Sequence, residues 1–148
     1  MPLTGEYEPS PSKWVRDQVA EYEASGGTRA NTLANRPEPV VIVTYRGRKS
    51  GKVRKMGLMR VEDGGRYGLV ASKGGDPKNP EWYHCLVEEP HVVIQDGAEP
   101  HDYTVRELEG EERAKWWELA VSAYRDYADY QEKTDRLIPV FVAERASG

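Results

Sequence analysis

The apolar residues of the chain fall into short β-branched or alternating runs, separated by stretches with helical spacing. The run Val40 to Tyr45 is too short for a helix and too apolar for an edge strand, so it predicts a central strand. Asp63-Gly64-Gly65 and Asp96-Gly97 separate neighbouring runs, and Asp-Gly between extended segments is a strong β-hairpin signal. Further strands are predicted at Met56 to Glu62, Arg66 to Ser72, His91 to Asp96, Asp102 to Leu108 and Ile138 to Ala143.

Helical spacing is found in three stretches, namely Lys13 to Ser25, Glu81 to Glu88 and Glu111 to about Tyr124. The first helix is amphipathic, with Ser12 at the N-cap position and Gly26-Gly27 as its stop signal. Its apolar face would pack on the core or, alternatively, contact a membrane surface or a partner. For the second helix, Asn79 is the predicted N-cap and Pro80 the first helical residue.

About six strands in mostly hairpin order, with three helices among them, predict an α+β domain. Antiparallel neighbours favour a barrel or a strongly curved sheet decorated by helices over a doubly wound parallel sheet. Residues 1–12 are polar and rich in proline, and are predicted to form a flexible segment before a single domain at 13–148. No apolar run approaches the ~20 residues of a membrane span, and no secretory signal pattern is present, so we expect a cytoplasmic protein.

The charge distribution reveals one candidate binding feature that the hydrophobic pattern does not show. The stretch Arg46 to Lys55, called the cationic loop below, holds six cations and no acid, whereas the whole chain of 148 residues has a net charge of −4. A cationic island on an acidic chain suits a small polyanion better than it suits nucleic acid. A solvated charged turn is the plain alternative. A nucleotide-binding P-loop is excluded, because Gly47 and Gly51 are too close together and a strand follows them.

Other candidate binding features follow later in the chain. The loop Ser72 to Gly75 contains a further cation and two glycines, and it either is an ordinary loop or lets a ligand approach the backbone. Trp82 and Tyr83 belong to the core or stack on a planar ring. Three tyrosines at 124, 127 and 130 either pack in the core or line a pocket, with a kink near 125–126 keeping them close.

No metal site is expected, because neither the three histidines nor the single Cys85 stands in a metal-ligand spacing. Cys85 lies in an apolar stretch and is interpreted as buried rather than nucleophilic.

Several of these stretches, taken in order, resemble the deazaflavin-dependent nitroreductase family, which binds coenzyme F420 on a split β-barrel related to FMN-binding barrels. The resemblance covers about Trp14 to Glu144. It is carried by residues 46–51, Arg54, 70–75, 78–80, Trp82-Tyr83, the tyrosines at 124–130 and residues 134–136. Gly57 departs from the pattern, since the family usually has a proline there.

The resemblance implies a hydride transfer from the reduced deazaflavin to an electrophilic small-molecule acceptor such as a quinone, a nitroaromatic or an activated enone. Ser72, Tyr124, Tyr127 and Tyr130 would position the acceptor. The implied cofactor-binding residues are Arg48, Lys49, Ser50, Arg54, Lys55, Met56, Gly57, Leu58, Met59, Val70, Ala71, Ser72, Lys73, Gly74, Gly75, Glu81, Trp82, Tyr83, His84, Cys85 and Tyr127.

Alternatives to this function are an FMN-dependent oxidoreductase on the same barrel and a non-enzymatic module that binds an anion or nucleic acid through the cationic loop. Six cations exceed the need of one phosphate, which favours the longer anionic tail of F420 over FMN. No nucleic-acid partner is expected. The amphipathic stretch 13–25 would allow peripheral contact with the inner face of the membrane, and the oligomeric state stays open.

Overall fold

An antiparallel sheet is the frame of the computed structural model, which describes residues 3, 5–32, 37–72, 75 and 78–146. Within these residues the strands are β1 (Val40–Arg46), β2 (Val53–Met59), β3 (Glu62–Asp63), β4 (Arg66–Val70), β5 (His91–Gln95), β6 (Pro100–Glu107) and β7 (Val140–Arg145). The helices are α1 (Lys13–Ala24), α2 (Glu81–Glu88), α3 (Gly110–Ala123) and α4 (Asp126–Glu132).

The strands lie in the order β2-β1-β5-β6-β7-β4-β3, and every pairing between them is antiparallel. The β3–β4 hairpin turns through Gly64 and Gly65, whose φ angles of 62° and 82° are the left-handed values that a two-residue hairpin turn requires. β2 and β3 are the two edge strands of this order, and only Arg60 and Val61 separate the end of β2 from the start of β3. The two ends of the sheet therefore curl toward each other, and the predicted antiparallel split barrel is confirmed.

Both faces of the sheet are buried, because successive residues of a strand point to opposite sides. In β1, Val40 and Ile42 join an apolar cluster with α1, α3 and α4, which we call the α3 face. Val41 and Val43 join a second cluster that is covered by α2, which we call the α2 face. This double burial explains why β1 is a continuous apolar run rather than an alternating one.

The fold differs from the prediction in one additional strand, the two-residue β3, and one additional helix, α4. Strand β2 begins at Val53 rather than Met56, because the pairing of Arg46 with Val53 extends the hairpin into the cationic loop. Ser12 is the N-cap of α1 as predicted, whereas Pro80 rather than Asn79 is the N-cap of α2.

Helix α1 packs on the core through its apolar side, which agrees with core packing, one of the two predicted roles of this face. Val19 and Tyr22 are both 1% exposed. The hydroxyl of Tyr22 donates to the carbonyl of Gln95 at 3.2 Å and accepts from the N–H of Gly97 at 2.8 Å. Trp14 is the exception on this helix and is 53% exposed. Within the described part of the chain, no helix combines the length and the apolar character needed to cross a membrane.

Candidate functional site

The cationic loop and the first turns of α2 enclose a cavity of about 350 Å³, called the cationic pocket below. The loop leaves the sheet at the end of β1 and returns through β2, and a hydrogen bond of 2.8 Å from the N–H of Gly47 to the carbonyl of Lys52 holds its base. The cavity is lined by Glu8, Tyr45, Gly47, Arg48, Lys49, Ser50, Arg54, Glu81, Trp82 and Cys85. Seven of these are among the predicted cofactor-binding residues; Glu8, Tyr45 and Gly47 are not.

Three cations and two carboxylates face each other in this pocket. Arg48 donates through Nε to Glu81 Oε1 at 2.8 Å, and this hydrogen bond lowers the pKa of the Glu81 carboxyl. Arg54 Nη1 lies 3.6 Å from Glu8 Oε1, and the Ser50 hydroxyl donates to the same oxygen at 3.1 Å. Arginine pairs well with phosphate and carboxylate oxygens. Arg48 and Arg54 can therefore exchange the carboxylates of Glu81 and Glu8 for the oxygens of an anionic ligand.

The apolar wall of the pocket comes from the α2 face of the sheet. Tyr45 is 9% exposed, and burial raises the pKa of its hydroxyl to about 12, so this tyrosine is neutral at physiological pH. Cys85 is buried, and burial raises the pKa of its thiol, in agreement with the predicted inert cysteine. Trp82 supplies a ring at the mouth, packed 6.2 Å from the ring of Phe141. These groups suit the flat side of an aromatic ligand.

Alternate residues of β2 lie on opposite faces of the sheet. Met56 and Leu58, like Trp82 and Tyr83, pack against the apolar cluster of the α2 face, although neither Met56 nor Leu58 lines the pocket. The side chain of Lys55 instead forms an ion pair with Glu23 of α1 at 2.5 Å.

Gly57 and Met59 lie on the same side of the sheet as Lys55. A Cβ on Gly57 would lie 3.2 Å from the side chain of Gln18, and Met59 is buried in the α3 face. The structure therefore does not bring the side chains of Lys55 and Met59, or the Cα hydrogens of Gly57, into the cationic pocket.

Tyr83 and His84 also lie outside the pocket. The hydroxyl of Tyr83 donates to Glu107 Oε1 at 2.8 Å, and its ring packs 5.6 Å from that of Phe141. The ring of His84 contacts the edge of Tyr83 at a centroid distance of 5.2 Å.

The segment from Val70 to Pro80 leads from the α3 face to α2. Val70 and Ala71 are buried, and Ser72 is 9% exposed. Predicted site residues Lys73 and Gly74 lie outside the described residues. Gly75 has a φ of 84°, and a Cβ there would lie only 2.7 Å from the carbonyl oxygen of Tyr130. A glycine is therefore required where this segment crosses α4.

Arg136 holds both ends of this segment, a role that its place in the sequence did not indicate. Its Nη1 donates to the carbonyl of Ala71 at 3.1 Å and to Asn79 Oδ1 at 2.8 Å, and its Nη2 donates to the carbonyl of Ser72 at 2.6 Å. Gln131 of α4 in turn donates to the Arg136 carbonyl at 2.8 Å. The guanidinium thus positions Ser72 and the start of α2 together.

Replacing Arg136 by glutamine is expected to loosen the segment 72–79, because a hydrogen bond to a charged group contributes about 1.5–3 kcal/mol. Loss of one such bond corresponds to roughly a 10- to 150-fold increase in local opening. Limited trypsin digestion, read by mass spectrometry at the bond after Lys78, measures this opening. Arg125→Gln, on an exposed residue at the start of α4, is the matched control. Equal cleavage rates in the two variants would contradict the positioning role.

The three predicted tyrosines form one cluster at the α3–α4 junction. Helix α3 ends at Ala123 and α4 begins at Asp126, which confirms the predicted break near 125–126. The hydroxyls of Tyr124 and Tyr130 lie 2.9 Å apart, and the Tyr124 and Tyr127 rings meet edge to face at 5.0 Å. Burial is the main cause that raises the pKa of Tyr124 and of Tyr127, so both stay protonated.

The cluster and the cationic pocket lie on opposite faces of the sheet. Tyr124 and Tyr127 are buried in the α3 face, and Tyr130 is half-buried. Gly75 contacts Tyr130 of the cluster, and Glu81, six residues later in the chain, lines the pocket. Tyr130 is the least buried of the three tyrosines. Among the described residues, no group of three His, Cys, Asp or Glu side chains is arranged to hold a metal ion.

The family model described as F420H(2)-dependent quinone reductase matches residues 14–145. An F420H(2)-dependent quinone reductase of Mycobacterium tuberculosis is 33% identical over 146 residues, which cover 90% of this chain and 97% of that protein.

Two solved structures are also similar. One, described as an F420-H2 dependent reductase (FDR-A), is 60% identical with a TM-score of 0.68 and covers 72% of this chain and 94% of its own. The other, described as a domain-swapped dimer, is 54% identical with a TM-score of 0.71 and covers 91% of this chain and 100% of its own. The region that the family model matches includes the cationic loop, α2 and the tyrosine cluster. The chain therefore belongs to the F420H(2)-dependent quinone reductase family.

Proposed function

We propose that this protein is an oxidoreductase that transfers a hydride from reduced coenzyme F420 to a quinone. The observation that carries the proposal is the cationic pocket, where three cations and a serine hydroxyl stand beside the ring of Trp82. An anionic ligand that also has a planar ring matches both parts of this pocket at once. The family to which the chain belongs supports the choice of F420 as that ligand.

The residues present fit the coenzyme, which has a deazaflavin ring, a phosphate and a tail of glutamates. Arg48, Lys49 and Arg54 would hold the phosphate and the carboxylates, with Ser50 donating a hydrogen bond. The apolar side chains of Met56, Leu58 and Trp82 would hold the ring. Several carboxylates need a cluster of cations, and this requirement supports F420 over FMN, which has a single phosphate.

The bound coenzyme supplies the hydride, and the chain supplies position and polarity. In this proposal Ser72 and Tyr130 donate hydrogen bonds to the acceptor oxygen. The support for placing them together is Gly75, three residues after Ser72, which packs against the backbone of Tyr130. Tyr124 orients the Tyr130 hydroxyl through their 2.9 Å contact. Protonated tyrosines act here as hydrogen-bond donors and not as bases, in line with the raised pKa of Tyr124.

A titration of purified protein tests the proposed function. Oxidised F420 and FMN are titrated separately by fluorescence, and oxidation of the reduced deazaflavin is then followed by absorbance with and without a naphthoquinone. We expect saturable binding of F420, and quinone-dependent oxidation that exceeds the rate without protein. Binding of FMN with no binding of F420 would overturn the choice of cofactor. Binding of F420 without quinone-dependent oxidation would overturn the proposed acceptor.

A cytoplasmic location with peripheral membrane contact through residues 13–25 also stays a proposal. Its support is Trp14, which is 53% exposed at the start of α1. Val19 and Tyr22 on the same helix are turned into the core and are therefore not available for membrane contact. Co-sedimentation with liposomes, compared between the wild type and Trp14→Ala, measures that contact.

A further inference from the structure

The segment of residues 5–8, which we call the N-terminal strap, lies along β2 beside the cationic loop. The N–H of Val53 donates to the carbonyl of Glu6 at 2.9 Å, and the N–H of Glu8 donates to the carbonyl of Val53 at 2.9 Å. These two hydrogen bonds pair Tyr7 with Val53 as a parallel β-bridge. The strap therefore has a defined register, in which Glu6 and Glu8 point to one side and Tyr7 to the other.

The two acidic side chains of the strap meet different cations. Glu8 enters the cationic pocket, where its Oε1 accepts from the Ser50 hydroxyl at 3.1 Å and lies 3.6 Å from Arg54 Nη1. Glu6 lies 3.6 Å from the ammonium of Lys52, and neither residue of that pair lines the pocket. Of the two carboxylates, that of Glu8 therefore occupies Ser50 and Arg54, which a ligand in the pocket would need, and that of Glu6 does not.

We propose that Glu8 sets the affinity of this protein for its anionic coenzyme, by acting as an internal competitor for Ser50 and Arg54. The proposal rests on the proposed function, which assigns these two groups to the phosphate and carboxylates of F420. A ligand anion held by Ser50 and Arg54 would lie next to the Glu8 carboxylate, and two like charges repel each other. Glu8 therefore has to give up these two partners when the ligand binds.

The strap can release Glu8 without detaching from the sheet. The two backbone hydrogen bonds to Val53 do not involve the carboxylate, and the Glu8 side chain is about one-third exposed at 38%. Rotation of the side chain alone moves the charge toward solvent. The exchange therefore requires no rearrangement of the sheet, and it makes the pocket selective for ligands with enough negative charge to displace a carboxylate.

Binding titrations of oxidised F420 to the full-length wild type, Glu8→Gln and Glu6→Gln test this inference. Glutamine keeps the shape and an oxygen that can accept from Ser50, but removes the negative charge. We expect Glu8→Gln to lower the Kd by about three- to tenfold at low salt, and the difference to shrink at high salt, because the repulsion it removes is electrostatic. Glu6→Gln makes the same change in net charge outside the pocket, and its Kd is expected to stay within about twofold of the wild type.

The outcomes separate this inference from the proposed function. A Kd of Glu8→Gln that is equal to or higher than that of the wild type would overturn the inference and leave the cofactor assignment standing. An equal gain in Glu6→Gln would also overturn it, since the effect would then follow net charge and not the place of Glu8. Absence of F420 binding in all three proteins would overturn the proposed function, and the inference with it.

Discussion

Replacing Arg48 and Arg54 together by glutamine is expected to weaken the binding of F420 by on the order of 100-fold, because both guanidinium groups form charge-assisted hydrogen bonds with phosphate and carboxylate oxygens. Both side chains line the cationic pocket, and both already pair there with carboxylates, Glu81 and Glu8. Their loss leaves these two acids facing the ligand without compensation, which adds repulsion to the missing attraction. Equilibrium titration of oxidised F420 by fluorescence measures the change.

Lys52 and Lys55 provide a matched control within the same ten residues. Their ammonium groups pair with Glu6 and Glu23, and neither side chain lines the pocket. The double variant Lys52→Gln and Lys55→Gln makes the same change in net charge, and we expect its Kd to rise by less than about threefold, through long-range electrostatics alone. A loss of affinity as large as that of the arginine variant would mean that the loop acts by its total charge.

Trp116→Ala is expected to have the largest effect on stability, lowering the free energy of unfolding by about 3–5 kcal/mol. Trp116 of α3 is 1% exposed and packs against β4, where a Cβ on Gly68 would lie only 3.0 Å from the indole ring. Its indole N–H is buried and has no hydrogen-bond partner among the described residues, so packing and the nearby guanidinium of Arg66 account for its contribution. Urea denaturation followed by circular dichroism measures the change in midpoint.

Trp14→Ala is the control for this experiment, since it removes the same side chain from a half-exposed position on α1. A surface substitution of this kind usually changes stability by less than about 0.5 kcal/mol. If Trp116→Ala and Trp14→Ala shifted the midpoint equally, α3 would not be packed on the sheet as the structure shows. The slope of the transition is expected to stay unchanged in both variants, because the surface exposed on unfolding is nearly the same.

The strands with the clearest patterns were the easiest to predict from sequence. β1 is an uninterrupted β-branched run because it is buried on both faces, and the β3–β4 turn was marked by Asp63-Gly64-Gly65. The first three residues of β2 were missed, since Val53, Arg54 and Lys55 continue the cationic loop and have no apolar pattern of their own. Their strand structure comes from pairing with β1, which is a nonlocal interaction that local propensity does not encode.

The candidate site was predicted unevenly for a related reason. The cationic loop and α2 could be picked out by charge and by aromatic content, and the structure brings Arg48, Ser50 and Trp82 together. The resemblance implies that the whole stretch 54–59 binds the cofactor, but a strand directs alternate residues to opposite faces, and Lys55 faces α1. Glu8 and Arg136 were not assigned roles, because their partners lie more than forty residues away in the chain.

The sequence by itself determined the antiparallel class of the fold and the position of the cationic loop, because these depend on periodicity, turn residues and local charge. The deazaflavin resemblance rests separately on the order of the short motifs along the chain. Only the tertiary structure decided which of the six cations in that loop face a common pocket, and that a carboxylate from the N-terminal strap lies among them. The physical reason is that the direction of a side chain from a strand, and the pairing of distant segments, follow from strand register. Register in turn is determined by the packing of the whole sheet.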